Sequence, residues 1–326
     1  MTANDLSEIV KIIRGAKNIL IATHTFPDGD ALGSQLGLGH ILRDMGKQVV
    51  LYSEEKISYL YDFLPCCAEL VNVLPEPAAI DCAIALDCGD RFRLGDAADK
   101  LLQIKPFVVI DHHAGHKNFG DLRWIETGRA SSGDMVYELS EHLGAEVSYE
   151  AAYCLYAAIV SDTGSFKYAS TTPETFRIAG ALLSKGVNPE EVAGKLFDNF
   201  TESRLLLLQS VLSSLELYSD NRVAIISATK KMFESTGANQ ADTETFINYP
   251  RSIASVLVAA LIKETDGAIG VSMRSKGTDY DVSAVARKFN GGGHRNAAGC
   301  KFRNGETLEE VKNIIFAELL LLVENS

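Results

Sequence analysis

The sequence predicts an α/β protein whose N-terminal part forms a doubly wound, mostly parallel sheet. Short, continuously apolar runs are typical of strands that are buried on both faces. Three such runs come early in the chain: residues 18–23 (NILIAT), 82–86 (CAIAL) and 107–110 (FVVI). Helix-like segments alternate with these runs, and that alternation favours parallel strands joined by helices that cover the sheet.

The other N-terminal elements follow from the spacing of apolar side chains. The first helix after a strand is predicted over residues 30–45, although its glycines lower its helix propensity and suggest close backbone packing. A strand is predicted over residues 48–52, and helices over 130–143, 149–160 and 172–185. Thr172-Pro173 begins the last of these helices, because proline suits the first helical turn.

The local pattern changes near residues 186–189 (GVNP), and we predict three parts: an N-terminal domain over 1–187, a helical linker over 188–218 and a smaller α/β domain over 219–326. The last part is predicted to contain a strand at 221–228, a strand or buried helix at 255–262, an alternating strand at 268–275, and helices at 281–289 and 307–323. The apolar final helix is expected either to join the core or to form a homodimer contact.

The composition is that of an ordinary globular protein, with 46% hydrophobic and 23% charged residues. The sequence contains no apolar stretch of about 20 residues and no signal-peptide core, so we expect a cytoplasmic protein with no membrane partner. The six cysteines form no CxxC pair, and we expect them to be reduced. The net charge of −12 argues against binding long nucleic acid. Residues 274–303 are locally basic, with a net charge of +5, and form either a focused anion pocket or a solvated surface.

Acidic and histidine side chains follow the apolar runs, at the points where the strands are predicted to end. They are His24, Asp28 and Asp30 after the first run, Asp87 after the second, Asp111, His112 and His113 after the third, and Asp162 at the end of a helix. Because parallel strands bring their carboxyl ends to one edge, we expect these groups to lie in one crevice. Clustered carboxylates repel unless cations neutralise them, so the pattern predicts a metal site, with two ions.

Each motif also has a purely structural interpretation. Asp28 and Asp30 could cap the helix that follows them, and Asp87 could form a turn. The two adjacent histidines could be buried without a ligand role. Asp162 opposes the macrodipole at the end of its helix, which favours a compensating cation over a turn residue. Oxygen and imidazole ligands without a thiolate suit Mn²⁺ or Mg²⁺ better than structural zinc.

The full set of motifs, in this order, resembles the DHH phosphoesterase superfamily. The C-terminal residues Arg274 (in SMRS) and 291–299 (GGGHRNAAG) resemble the DHHA1 domain that accompanies it. The resemblance covers nearly the whole chain. Its length and two-domain plan are most similar to the NrnA type, which is a bifunctional oligoribonuclease and pAp phosphatase.

The resemblance implies a role for each motif residue. His24, Asp28 and Asp87 would hold one Mn²⁺, while Asp30, Asp87, His112 and Asp162 would hold a second, with Asp87 bridging the two and His113 facing the phosphate. Arg274, Gly292, Gly293, His294 and Arg295 would bind the terminal phosphate or ribose of the substrate, which would lie in a cleft between the domains. Two such ions lower the pKa of a water so that it can attack phosphorus.

The activity implied by the resemblance is the hydrolysis of short RNA or DNA oligonucleotides to mononucleotides and of the nucleotide bisphosphate pAp to AMP. A phosphodiesterase for cyclic or linear dinucleotides (cyclic di-AMP, pApA or pGpG) would use the same metal residues. A nucleotide sensor without turnover is a third hypothesis, which a complete set of metal ligands disfavours.

Overall fold

The computed structural model describes residues 3–265, 267–277 and 279–324. The chain divides into two compact units, Met1–Asn199 and Phe200–Ser326. Each unit has its own sheet.

The first unit is built on the predicted parallel sheet. Its strands are β1 (Asn18–Ala22), β2 (Gln48–Tyr52), β3 (Cys82–Leu86), β4 (Phe107–Asp111) and β5 (Leu122–Ile125), in the order β2-β1-β3-β4-β5. All four pairings are parallel. Strands β3 and β4 are buried along their whole length, which is why their sequences show no polar alternation. The predicted sheet is confirmed, and β5 is added to it.

Seven α-helices accompany this sheet in the described residues. They are α1 (Ala3–Gly15), α2 (Gly29–Asp44), α3 (Ala98–Leu101), α4 (Ser132–Leu143), α5 (Tyr149–Asp162), α6 (Pro173–Leu183) and α7 (Pro189–Phe197). Thr172 caps α6 as its sequence suggests, accepting a hydrogen bond from the Thr175 amide at 3.2 Å.

Helices α2 and α5 approach closely because α2 carries glycines on the shared face. A Cβ atom on Gly33 would lie 2.5 Å from the carbonyl oxygen of Cys154, and one on Gly37 would lie 2.5 Å from Cδ2 of Leu155. The glycines of α2 therefore have a packing function that outweighs their low helix propensity. The same helix positions Asp30 in its first turn.

The second unit contains a mixed sheet in the order β10-β11-β9-β8-β7-β6. Its strands are β6 (Glu216–Tyr218), β7 (Val223–Ala228), β8 (Val258–Thr265), β9 (Ala268–Ser275), β10 (Gly292–His294) and β11 (Ala297–Phe302), and its helices are α8 (Glu202–Leu212), α9 (Lys230–Thr236), α10 (Asn248–Ser252), α11 (Val282–Lys288) and α12 (Leu308–Glu324). Among the described strand pairings of this second sheet, that of β7 with β8 is parallel and the others are antiparallel. The segment at residues 255–262, which was predicted to be either a strand or a buried helix, overlaps the strand β8.

The final helix contributes to the core of the second unit through one face. Val311, Ile315, Leu319 and Val323 are buried, whereas Leu321 on the same helix is half exposed. Helix α7 lies in the first unit and α8 in the second, so the predicted linker of residues 188–218 spans the division between them. Among the helices in the described ranges, none combines the length and apolar character that crossing a membrane requires.

Candidate two-metal active site

The candidate site lies where the order of the parallel sheet reverses direction. Strand β1 is flanked by β2 on one side and by β3 on the other. Chain connections leave such a point in opposite directions, which opens a crevice at the carboxyl ends of the strands. His24 and Asp28 follow β1, and Asp87 follows β3. The sequence therefore delivers its polar clusters to the place where this fold binds ligands.

One group of potential metal ligands consists of His24, Asp28 and Asp87, whose ligand atoms all lie within 4.8 Å of one another. Nε2 of His24 is 3.4 Å from Oδ2 of Asp87. Asp28 is also the N-cap of α2, since its Oδ1 accepts hydrogen bonds from the amides of Asp30 and Ala31, both at 3.1 Å. Capping uses one carboxylate oxygen of Asp28 and leaves the other for an ion.

A second group consists of Asp30, Asp87 and His112, again with ligand atoms within 4.8 Å of one another. Nε2 of His112 lies 3.3 Å from Oδ1 of Asp87 and 3.4 Å from Oδ2 of Asp30. Asp162 approaches the same nitrogen at 3.7 Å. Asp87 thus belongs to both groups and turns a different oxygen toward each histidine.

The ring nitrogens that do not face the carboxylates contact backbone carbonyl groups. Nδ1 of His24 is 2.8 Å from the carbonyl oxygen of Thr25, and Nδ1 of His112 is 3.2 Å from that of Arg129. A histidine that donates from Nδ1 to a carbonyl presents Nε2 as the lone-pair nitrogen, which is the form that ligates a metal. The ring of His112 is therefore held in a form suited to a metal ligand. Nδ1 of His24 also lies 2.9 Å from Nη2 of Arg93, so the contact with Thr25 orients this ring without fixing its tautomer.

The N-terminus of α4 supports two of the carboxylates, which sequence reasoning did not foresee. The amides of Ser132 and Gly133 donate to Asp30 at 2.8 and 3.1 Å, and the Ser132 hydroxyl donates to Oδ1 of Asp87 at 3.1 Å. Free amides and the positive end of the helix dipole stabilise negative charge. The serines at the start of α4 were the available signal, because serine favours helix caps.

Asp111 contacts His113. The sequence places Asp111 in the acidic cluster, but the resemblance gave it no role as a metal ligand or substrate residue. It is fully buried, and its Oδ1 lies 2.7 Å from Nδ1 of His113. Burial lowers the pKa of His113, but the charge of Asp87 and the hydrogen bond to Asp111 outweigh burial and raise it above its ordinary value. The hydrogen bond to Asp111 also fixes the orientation of the His113 ring.

The electrostatics of the site fit divalent cations. Burial raises the pKa of Asp162 to about 8, and burial together with the charge of Asp87 raises that of Asp30. Burial also acts to raise the pKa of Asp87, but the histidines around it hold this pKa well below its usual range. These three carboxylates, of which Asp30 and Asp87 are buried and Asp162 is partly exposed, can all be ionised here only if positive charge is added. Oxygen and imidazole donors at these spacings suit two hard or intermediate cations.

In the second unit, the structure brings the predicted substrate residues together on one part of its sheet. Ala297 of β11 pairs with Arg274 of β9 on one side and with His294 of β10 on the other. Paired residues point to the same face of a sheet, and the neighbouring Met273 is buried on the opposite face. Arg295 follows His294 directly, in the turn before β11.

The two glycines of the predicted substrate set differ in what they require. Gly293 has a φ of +133°, and a Cβ there would lie 2.4 Å from the carbonyl oxygen of Ala297, so the backbone itself needs glycine. A Cβ on Gly292 would meet no atom within 4 Å. Packing therefore does not require glycine at this position, and the anion-binding role of Gly292 stays a prediction.

Comparison with known proteins agrees with these features along the whole chain. The N-terminal domain of the DHH family matches residues 18–159, and the DHHA1 domain matches residues 222–319. The bifunctional oligoribonuclease and PAP phosphatase NrnA of Thermus thermophilus is 33% identical over 302 residues, which cover 91% of this chain and 87% of that protein. The protein of the same name from Bacillus subtilis is 29% identical over 94% of this chain and 96% of its own.

A solved structure shows the same architecture. The crystal structure of an exopolyphosphatase-related protein from Bacteroides fragilis has a TM-score of 0.88 and 30% sequence identity, covering 97% of this chain and 95% of that one. Family domains, full-length relatives and fold all agree with the resemblance carried by the sequence motifs. This chain therefore belongs to the DHH family and combines a DHH domain with a DHHA1 domain.

Proposed function

We propose that this protein is a two-metal phosphoesterase that hydrolyses short oligoribonucleotides to mononucleotides and dephosphorylates pAp to AMP. The observation that carries the proposal is Asp87, which is buried and turns one oxygen to each of two groups of potential ligands. Full-length relatives named as oligoribonuclease and PAP phosphatase support the choice of substrates.

In this proposal, His24, Asp28 and Asp87 hold one ion, and Asp30, Asp87, His112 and Asp162 hold the other. We propose Mn²⁺, with Mg²⁺ as a weaker alternative, because imidazole ligands favour the former. When bound, such ions supply positive charge to the phosphate and lower the pKa of a water that attacks it. The cytoplasmic location and a homodimer remain predictions from the sequence.

The side chains of the protein supply the remaining chemistry. His113, held by Asp111, donates a hydrogen bond or proton toward the phosphate. The amides at the start of α4 and the Ser132 hydroxyl keep Asp30 and Asp87 in place, so that neither has to reorganise during the reaction. Arg274 binds the phosphate or ribose that is not cleaved, since its guanidinium can make two parallel hydrogen bonds.

Removing metal is expected to abolish hydrolysis of both pAp and a 5-mer RNA. After dialysis against a chelator, Mn²⁺, Mg²⁺ and Zn²⁺ are added back separately, and activity, bound metal and melting temperature are measured. We expect Mn²⁺ to restore the most activity and two ions to bind per chain. A ligand at 100 times its dissociation constant stabilises the folded state by about 2.7 kcal/mol, so the melting temperature should rise as well. Full activity with one bound ion, or without metal, would contradict the proposal.

A substrate panel tests which phosphoester is preferred. We expect pAp and RNA of two to five nucleotides to be hydrolysed faster than RNA of tens of nucleotides at equal concentration. Much faster turnover of pGpG or cyclic di-AMP would support the dinucleotide phosphodiesterase instead. Tight nucleotide binding without any turnover would support a sensor.

Replacing Arg274 by alanine is expected to raise KM for pAp by about 10- to 100-fold and to change kcat little, because a hydrogen bond to a charged group is worth about 1.5–3 kcal/mol. The matched control is Arg303→Ala, which removes an exposed arginine from the same basic segment. Steady-state kinetics on both variants make the comparison. An unchanged KM in Arg274→Ala would exclude this residue from substrate binding.

A further inference from the structure

Two phenylalanines next to the metal ligands are largely exposed to solvent. Phe26 is 64% exposed and Phe92 is 81% exposed, which makes them the two most exposed phenylalanines in the described ranges. A buried phenylalanine stabilises a fold, but rings exposed to this degree contribute little to it. Single exposed apolar residues are common, but these two lie in the loops that carry or adjoin the proposed metal ligands.

The two phenylalanines are sequence neighbours of the two residues whose backbone hydrogen bond joins the loop after β1 to the loop after β3. The amide of Thr25 donates to the carbonyl oxygen of Arg93 at 2.7 Å. Phe26 follows Thr25 in the chain, and Phe92 precedes Arg93. Nη2 of Arg93 is also 2.9 Å from Nδ1 of the ligand His24. The two phenylalanines therefore lie on linked loops at the metal site.

The backbone is fixed by a side-chain hydrogen bond at each of these positions. The Phe26 amide donates to Oε2 of Glu55 at 2.7 Å, and the Phe92 amide donates to Oδ1 of Asp90 at 3.0 Å. Phe26 has a φ of +54°, a left-handed conformation that is uncommon for a bulky residue and costs about 1–3 kcal/mol. The fold thus holds an exposed ring in a strained position between His24 and Asp28.

Two arginines flank Phe92 in the chain. The guanidinium carbon of Arg91 lies 5.6 Å from the centre of the Phe92 ring, and the same guanidinium forms an ion pair with Asp99; the other arginine is Arg93. Aromatic side chains interspersed with arginine are the means by which proteins hold single-stranded nucleic acid, because every base has a face that can stack. Here they occur in a chain with a net charge of −12.

We propose that Phe26 and Phe92 form a stacking site for a nucleobase of the substrate. The inference rests on the proposed function in so far as the substrate is a nucleotide. The two rings bind the base. Stacking does not distinguish among the bases, so the site confers affinity for oligonucleotides with little sequence preference.

The kinetic test compares a trinucleotide with an abasic trinucleotide that has the same phosphodiester backbone. Stacking of one base is worth about 5- to 150-fold in affinity. We expect Phe26→Asn and Phe92→Ala each to raise KM for the trinucleotide at least 5-fold and to leave hydrolysis of the abasic compound unchanged. Asparagine is used at Phe26 because it tolerates the φ of +54° there. Phe197→Ala, which removes a partly exposed ring elsewhere in the same unit, is the control. Equal losses on both substrates, or no loss on the trinucleotide, would overturn the proposal.

A binding test separates this inference from the proposed function. Fluorescence of a trinucleotide that contains 2-aminopurine is quenched on stacking. The trinucleotide is titrated with the wild-type protein and with both variants, in the presence of a chelator so that it is not hydrolysed. Quenching by the wild type, with an affinity at least 5-fold weaker in the variants, supports the stacking site even if no substrate is hydrolysed. Absence of quenching by the wild type refutes it, even if hydrolysis is normal. A change of oligomeric state in Phe92→Ala without a change in quenching would assign the rings to a protein contact instead.

Discussion

Replacing Asp87 by asparagine is expected to lower turnover of pAp and short RNA by at least about 1,000-fold and to leave the fold intact. Loss of a group that merely supports a metal ligand costs about 10- to 100-fold, and Asp87 contacts both groups of ligands directly. Asparagine is the appropriate substitution because Asp87 has a φ of +55°, a conformation that asparagine tolerates and alanine does not. Steady-state kinetics at saturating Mn²⁺ give the result.

The same variant has a second readout that does not depend on activity. Asp87→Asn should bind fewer than two Mn²⁺ ions per chain, measured by calorimetry or metal analysis. Asp96→Asn, which removes the charge of an exposed aspartate in the loop after β3, should match the wild type in both measurements. If Asp87→Asn retains two ions and at least a tenth of the wild-type activity, Asp87 does not bridge.

Gly33→Ala is expected to destabilise the first unit by about 2 kcal/mol, although alanine is the better helix former. The new Cβ would lie 2.5 Å from the carbonyl oxygen of Cys154 and 2.9 Å from Cβ of Ala158. A backbone oxygen cannot rotate away, so helices α2 and α5 must separate, and overpacking of this kind typically costs about 1–3 kcal/mol. Chemical denaturation measures the change. Because α2 also carries Asp30, activity should fall together with stability.

The control is a glycine within another helix of the same unit. A Cβ on Gly180 in α6 would meet no atom within 4 Å. Gly180→Ala should therefore raise the free energy of unfolding by about 0.5–1 kcal/mol, through helix propensity alone. Opposite signs for the two substitutions would show that contact with α5 decides the result. Equal stabilisation by both would mean that α2 and α5 are not packed as described.

Strands buried on both faces were predictable because nothing but apolar side chains is tolerated in them. Strands β2 and β3 have the predicted bounds, and β1 and β4 differ from them by one residue. Strand β5 was not predicted, because it is four residues long, only partly buried and contains Arg123. Its place in the sheet is determined by pairing with β4, which local sequence does not encode.

The acidic and histidine residues of the site were predictable, whereas their supporting contacts were not. The proposed metal ligands directly follow apolar runs, and that placement can be read from the sequence alone. The support for Asp30 comes from Ser132 and Gly133, about a hundred residues later in the chain, and no local pattern links them. Asp28 shows a further difficulty. Helix cap and ligand were treated as competing interpretations, yet its carboxylate has an oxygen available for each.

The proposed metal ligands are dispersed from His24 to Asp162, so strands β1, β3 and β4 and helix α5 must all be in place before the full set meets. Ions held as proposed would then bind the native state in preference to the unfolded chain, and their binding energy would oppose unfolding. The supply of metal in a cell would accordingly set the lifetime of this protein against unfolding and proteolysis, in addition to its catalytic rate.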